Sequence, residues 1–574
     1  MKKYKQQVKD GKENSGFISH IVDEKPIFIH YSFTQYFAAL FYFNNVKREK
    51  VRKFFFDQIY GKKQYLTSIF FDYMVTDGET NCEVHIAVLN SDEKEVRKLL
   101  TNADKVKDFI NARDRIGRTA LHVAAAYGYY DVTMTLLEHR YSVAAEDLFG
   151  WKPIRYADKN GHWDIADLLL KNGANIDDMC ETMNQLLLAS VAKLPVKTLL
   201  HKAAEKGLLT LLNALLKSKS KLINKSDIRG QKPLHYAANK DIAEILITNG
   251  ADIEAKNYRG ETPIFLANSE EVVKFLIKQG ADLEARNRSG DIFLHKTVKE
   301  SRQEMVELII SHGANIEVKN KDNRTPLFFA NNREVVDLLI SNGVDVKAES
   351  SNGETPLHVA VAKTKEMVEL LISHGADIEA KNIRGETPLF FADSEDVVEF
   401  LIEKGADINV QSSHGDTPLH EAVRRSKGIV KLLLSHGADI EAKNSFEATP
   451  LFYAYRKEIV EILISQGANV NARHRLGNTP LHECLRGSKE IVEVLLSHGA
   501  DIEAKGFDDK TPLFYAERNE IIEYLISQGA DINAKDRYGH TALQYALRWG
   551  REKMAELGLT PLEFFNTLLV PNAY

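Results

Sequence analysis

The stretch Thr387–Ala448, TPLFFADSEDVVEFLIEKGADINVQSSHGDTPLHEAVRRSKGIVKLLLSHGADIEAKNSFEA, decides how this chain folds, because near-copies precede and follow it at a constant offset of 62 residues. It is itself two related halves, opening at Thr387-Pro388 and at Thr417-Pro418. Threonine suits the N-cap, proline the first helical position, and the glycines Gly405 and Gly437 the left-handed residue after a second helix. Val397, Val398, Leu401 and Ile402 form one stripe at the helical period, and Glu395, Asp396 and Glu399 form the wet face. Each half therefore reads as helix, helix, then an extended arm around a polar tip leading to the next Thr-Pro.

Outward from this stretch, the threonine or equivalent positions fall at 232, 262, 292, 325, 355, 387, 417, 449, 479, 511 and 541. After Thr325 the T-P-L-F form is always the short one and the T-P-L-H form the longer, the loss lying before the second helix. Upstream, the array begins raggedly at VHIAVLNSDEKEVRKLL from Val84, sharpens at RTALHVAAAYG, and stretches near 177–197, where MCETMNQLLLASVAKLPVK reads as an inserted helix. The T-P-L-H signature at a period of about 33 residues resembles the ankyrin repeat. That resemblance implies an all-α solenoid with short β-hairpin fingers, an ankyrin-repeat superhelix of about fifteen repeats preceded by a small helical unit. The expected organisation is an aromatic-rich helical cap or linker over 1–80, divergent repeats over 81–197, regular repeats over 198–555, and a C-terminal cap and tail over 556–574.

The first ~80 residues hold 18 of the 48 phenylalanines and tyrosines and show no Thr-Pro signature. Ser32 and Gln35 have capping-box spacing, with Phe33, Tyr36, Phe37 and Leu40 as the apolar stripe, and further helices are expected around Val51–Tyr60 and Tyr65–Met74. Phe28, Ile29, His30, Ser32, Phe33, Tyr36, Phe37 and Ala39 resemble the end of the helical region of NACHT-type receptors that carry ankyrin repeats, with Gln35 where that family has glutamate. The resemblance implies an alternative, in which the chain is the sensor half of a signalling ATPase. The chain contains no G-x-x-x-x-G-K-[ST] loop to cradle a nucleotide. On the residues alone, these helices cap the first apolar face of the stack.

A net charge of −6 over 574 residues supplies no strong field toward nucleic acid or anionic membrane. Cys82, Cys180 and Cys484 are odd in number and widely spaced, which argues for a reducing compartment and for buried thiols. The N-terminal segment lacks the apolar core of a signal peptide. The expected setting is the cytoplasm, with the nucleus left open, and the expected partner is a protein rather than nucleic acid, membrane or small molecule.

Eight histidines occupy the T-P-L-H position (His85, His122, His201, His235, His295, His358, His420 and His482), where hydrogen bonding at the helix start is the expected role. His312, His374, His436 and His498 end second helices, where a cation suits the dipole. No catalytic constellation, cofactor motif or metal-ligand spacing emerges. Asp377 and Glu379 read as solvated finger residues. The position after each tetrad, which the ankyrin resemblance turns toward the concave groove, carries Tyr236, Phe329, Phe391, Tyr453, Tyr515 and Tyr545 among other residues, and these rings either bind a partner or pack between first helices. The finger tips Tyr258, Arg259, Ile383, Arg384, Phe446, Arg475, Leu476, Phe507 and Tyr538 form a second candidate surface. The function expected is a non-enzymatic, intracellular protein-interaction scaffold.

Overall fold

A computed structural model describes residues 18–22, 25–28, 39–40, 71–72, 75–76, 81–101, 106–179, 198–219, 222–485, 487–542 and 544–545. The chain forms two compact units, Met1–Arg288 and Ser289–Tyr574. Six helix pairs are described in the first unit, from Glu83–Leu89 with Glu93–Leu100 to Pro263–Leu266 with Glu270–Lys278. The second unit has eight, from Phe293–Lys299 with Gln303–Ser311 to Pro512–Tyr515 with Asn519–Ser527.

The short repeats owe their length to the first helix. Pro326–Phe329, Pro388–Phe391, Pro450–Tyr453 and Pro512–Tyr515 are single four-residue 3-10 turns, whereas Pro418–Arg425 runs for eight residues. From Lys240–Thr248 onward the second helix is constant at nine residues: in Glu395–Glu403, Ser394 Oγ accepts the Val397 N–H, and Val397, Val398, Phe400 and Leu401 are buried. Phe400 thus joins the stripe read from sequence, while Ile402 is only half-buried. Lys365 and Lys404 hold their ammonium groups 5.5 and 5.4 Å from the Phe400 ring. Gly405 ends the helix at φ +90° with nothing within 4 Å of an added Cβ, so glycine is needed there for backbone conformation rather than space.

The fingers are tight turns. Asn382 Oδ1 accepts the N–H groups of Arg384 and Glu386, and the Asn382 N–H donates to the Glu386 carbonyl. Among the described residues no finger carries a strand ladder, and only an isolated Lys535–Thr541 bridge forms. Each finger instead bonds to the one before it: Ile383 N donates to Asn352 O, Ser413 N to Arg384 O, and Ser445 N to His414 O. At the other end of the arm Glu379 Oε1 accepts the Asp407 N–H at 2.8 Å and Asp377 Oδ1 accepts the Glu379 N–H. Glu379 is therefore an inter-repeat staple, not the freely solvated residue expected. Asn409, Glu441, Asn471 and Glu503 repeat the bond to Asp439, Asn469, Asp501 and Asp531, glutamate in long repeats and asparagine in short ones.

Near the N-terminus, Ile18–Val22 and Lys25–Phe28 pair as an antiparallel hairpin, which the helical reading of this region did not include. Ile18, Ile21, Val22, Ile27 and Phe28 are strand-favouring residues on either side of a two-residue link. Ala39, Leu40, Phe71 and Asp72 are helical as expected; the rest of the expected Ser32–Phe43 and Tyr65–Met74 helices, with Val51–Tyr60, lies outside the described residues. Buried Asp72 forms an ion pair with buried Arg118 at 2.7 Å, and Arg115 N donates to Val75 O, so residues 71–72 and 75–76 pack on the first repeats. The 181–197 insertion also lies outside the described residues, as do Cys180 and residues 546–574. On either side of the insertion the second helices still meet: Asp167 Oδ1 accepts the Leu211 N–H at 2.7 Å. Cys82 and Cys484 are buried, and burial pushes the Cys484 thiol up to about 12.

Candidate functional site

The T-P-L-H histidines are consumed by the scaffold, as their position suggests. The Thr417 N–H donates to His420 Nδ1 at 3.1 Å, which places the ring proton on Nε2, and Nε2 donates to the Ala448 carbonyl of the next repeat. His122, His201, His235, His358 and His482 repeat this pair of bonds, reaching Trp151, Gln231, Glu261, Glu386 and Lys510. The ring is thus a neutral, buried strut between neighbours, and burial lowers the pKa of His85, His122, His235, His358, His420 and His482.

Where phenylalanine replaces that histidine, the threonine loses its partner. The hydroxyls of Thr262, Thr325, Thr387, Thr449 and Thr511 are buried without a hydrogen bond, whereas Thr417 Oγ1 lies 2.9 Å from His420 Nδ1. Thr387→Val is accordingly expected to leave stability unchanged or slightly raised, and Thr417→Val to cost about 1–2 kcal/mol. Equal urea midpoints for the two variants would contradict the assignment. The second-helix histidines also bond locally: Nδ1 of His312, His374, His436 and His498 lies 2.8–2.9 Å from the carbonyl four residues earlier. Among the described residues no group of three potential metal ligands occurs.

The rings after the tetrad are half-buried and sit against the histidine of the preceding repeat. Tyr236 meets His201 edge-on at 5.7 Å, Phe329 meets His295 at 5.7 Å, Phe391 meets His358 at 5.9 Å, and Tyr515 meets His482 at 5.4 Å. Tyr453 is tilted on His420 at 5.9 Å, under the Arg424 guanidinium at 4.4 Å. Tyr545 packs on Phe514 with Lys510 over its face. Their hydroxyls are engaged as well: Tyr236 donates to Asp227 at 2.6 Å, and Tyr453 accepts from Asn444 at 2.8 Å. The rings therefore pack, and each leaves only part of its surface open.

The finger tips are freer. Ile383, Tyr258, Phe507 and Tyr538 are exposed, as are Arg259, Arg384 and Arg475. In the second unit one place combines the two surfaces: a cavity of about 150 Å³ lined by Phe446, Phe452, Tyr453, Tyr455, Leu476 and His474, with Ala448, Arg475 and Glu483. Phe446, Tyr455 and Leu476 are 60%, 58% and 57% exposed. His474 builds the floor. It occupies the turn position held in the other fingers by Asn, Asp, Ser or Gly506, accepts the Leu476 N–H on Nδ1 at 3.1 Å, stacks on Phe452 at 5.3 Å, and lies 3.3 Å from Glu483 Oε1 through Nε2. Tyr455, His474 and Glu483 were not among the sequence candidates. The one signal in the sequence is the departure from Asn, Asp or Ser at position 474.

A family model described as Ankyrin repeats (3 copies) matches the chain in overlapping stretches from residue 84 to 559. Among curated proteins, the chain is 30% identical over 145 residues to alpha-latrotoxin-Lg1a of Latrodectus geometricus, covering 25% of this chain and 9% of that protein. It is 31% identical over 180 residues to neurogenic locus notch homolog protein 1 of Xenopus tropicalis, covering 29% and 6%. It is 31% identical over 174 residues to the B-cell lymphoma 3 protein homolog of Mus musculus, covering 30% and 36%. The chain thus spans less than a tenth of the first two relatives. A crystal structure of the ankyrin repeat domain of Bcl-3 aligns with 36% of the chain and 99% of its own at 31% identity and a TM-score of 0.33. The family match starts after the residues that resemble NACHT-type receptors, and it lends that resemblance no support.

Proposed function

We propose that this chain, which belongs to the ankyrin-repeat family, is a non-enzymatic intracellular scaffold that binds a partner protein through finger tips and the adjoining concave rings. The observation that carries this reading is the cavity walled by Phe446, Tyr455 and Leu476: large apolar side chains, more than half exposed, beside a preformed aromatic floor. Rigid tips held finger to finger lose little conformational entropy on binding, so modest contacts along the array accumulate. In the second unit Phe329, Phe391, Tyr453, Tyr515 and Tyr545 are proposed as the inner edge of that surface and Ile383, Arg384, Arg475, Leu476, Phe507 and Tyr538 as its outer edge; in the first unit Tyr236 and the tips Tyr258 and Arg259 take the corresponding places. No helix of the described residues is long and apolar enough to cross a membrane.

The test is affinity capture with the full chain, comparing the native sequence with Phe446→Ala, Tyr455→Ala and Leu476→Ala combined. These side chains are exposed, so the triple variant is expected to melt with the parent while losing its partner by about 2 kcal/mol or more, the scale of a central anchor cluster. A partner retained in full by the variant removes the cavity from the binding surface. Phe391→Ala, Tyr453→Ala and Tyr515→Ala form a poorer probe, because those rings pack on histidines and their loss destabilises the stack.

A further inference from the structure

Three successive fingers of the first unit carry a row of exposed arginines. Arg229, Arg259 and Arg288 are exposed, and none has a carboxylate at ion-pair distance among the described residues. Lys256 is exposed beside them. Three acids of these fingers turn carboxylate oxygens to neutral donors rather than to the arginines. Asp227 accepts from the N–H groups of Arg229 and Gln231 and from the Tyr236 hydroxyl, Glu261 Oε2 accepts from Asn257 Nδ2, and Glu254 Oε1 accepts the Asp282 N–H. Between the arginines stand two apolar side chains, Ile228 at 72% and Tyr258 at 53% exposure. The Tyr258 ring is seated on the preceding finger, because a Cβ at Gly230 would come within 2.7 Å of its Cδ1.

The row is held in register. Tyr258 N donates to Arg229 O at 3.0 Å and Arg288 N to Arg259 O at 2.7 Å, so each finger is bonded to the next. Stacked helices set neighbouring fingers about 10 Å apart. A polyproline II chain advances about 9 Å per three-residue turn and returns its side chains to the same face each turn. A segment with a carboxylate at every third residue therefore presents one acid to each arginine, and the guanidinium fork receives a carboxylate through two parallel N–H bonds.

We propose that Arg229, Arg259 and Arg288 bind an acidic, extended segment of a partner protein, with carboxylates three residues apart, whose intervening side chains lie on Ile228 and Tyr258. This assignment rests on the scaffold reading and gives one of its surfaces a ligand chemistry. A peptide fits better than single-stranded nucleic acid, which needs an aromatic platform for successive bases; the row has a single ring, already seated on Gly230.

The test uses the full chain and a fluorescent peptide of about fifteen residues, Glu-Pro-Pro repeated, which favours the polyproline II conformation. Binding is expected to be measurable at low salt and to weaken as salt rises, as charge pairing requires. Arg229→Glu, Arg259→Glu and Arg288→Glu together are expected to weaken it by about tenfold or more, and Arg333→Glu with Lys431→Glu, exposed on second helices of the other unit, by less than about twofold. The lysine counterpart of the peptide is expected not to bind, and a peptide with its glutamates in one block is expected to bind more weakly. No binding of the acidic peptide, equal loss in both variants, equal affinity for the blocked peptide, or tighter binding of oligouridylate would each overturn the assignment. Partner capture through Phe446, Tyr455 and Leu476 reports separately on the scaffold reading, so failure of the peptide with capture intact removes this assignment alone.

Discussion

Arg118→Met is expected to destabilise the first repeats by about 3–5 kcal/mol, the cost of leaving carboxylates buried without their counter-charge. Arg118 is fully buried. Its Nη2 lies 2.7 Å from Asp72 and its Nε 2.8 Å from Asp114, both carboxylates also fully buried, and the Tyr127 hydroxyl donates to Asp72 at 2.6 Å. The Arg118 carbonyl in turn receives the His85 ring at 2.9 Å. Because a repeat stack is stabilised by nearest-neighbour interfaces, the damage stays local at first. Amide exchange in Glu83–Leu89 and Ala120–Tyr127 is expected to speed up while exchange in Glu395–Glu403 keeps its parent rate. Adding Asp72→Asn and Asp114→Asn is expected to recover much of the loss, since an amide oxygen still accepts the hydroxyl and backbone bonds. A single Arg118→Met variant as protected as the parent would show that the pair contributes nothing.

The second large effect is acid sensitivity. Burial lowers the T-P-L-H imidazoles, His122 to about 3 and His482 to about 4, below the ordinary value of 6.5. The folded ring is neutral because its Nδ1 accepts a backbone N–H, so a proton there breaks the helix start and the strut together. The unfolded chain takes up protons first as pH falls. The stabilisation is therefore fully present above about pH 6.5, declines below it, and is gone once the pH passes beneath the folded values. For His482 alone the span corresponds to about 3 kcal/mol at 1.36 kcal/mol per pKa unit. Thermal melts from pH 7.5 to 4.5 are expected to fall steadily below pH 6.5. His482→Phe with Thr479→Val, which imitates a short repeat, is expected to reduce that slope. A melting temperature flat down to pH 5 would sink the argument.

The alternation of short and long repeats is plain from the 62-residue offset, because helix period, Thr-Pro starts and glycine ends are local properties that each segment carries with it. The local half of the histidine network was legible for the same reason, since ring, threonine and backbone lie within four residues, whereas the Nε2 bond to the next repeat was not. The Glu379 staple was not. Its partner N–H belongs to Asp407 in the next repeat, and only stacking brings the two together. The rings at Phe391 and Tyr453 show the same division. Sequence put them on the first helix with binding and packing both open, and the edge-on contact with His358 and the tilted one with His420 made packing part of their role.

By itself the sequence determined an ankyrin array with a two-repeat rhythm, the helix pairs with threonine before and glycine after them, the local histidine bonds at the helix starts of His122 and His420, and tips exposed at Tyr258, Ile383 and Leu476; the bond from each ring to the next repeat needed the stack. Only the tertiary structure decided that fingers close by turn and inter-finger bonds rather than strand ladders. It also decided that Arg118 is buried between two carboxylates, that His474 and Glu483 join Phe446 and Tyr455 around one cavity, and that Arg229, Arg259 and Arg288 stand exposed on successive fingers. The physical reason is range: a helix and its cap are set by neighbours along the chain, while burial, charge pairing and a cavity are set by residues about thirty positions away that only lateral stacking places side by side.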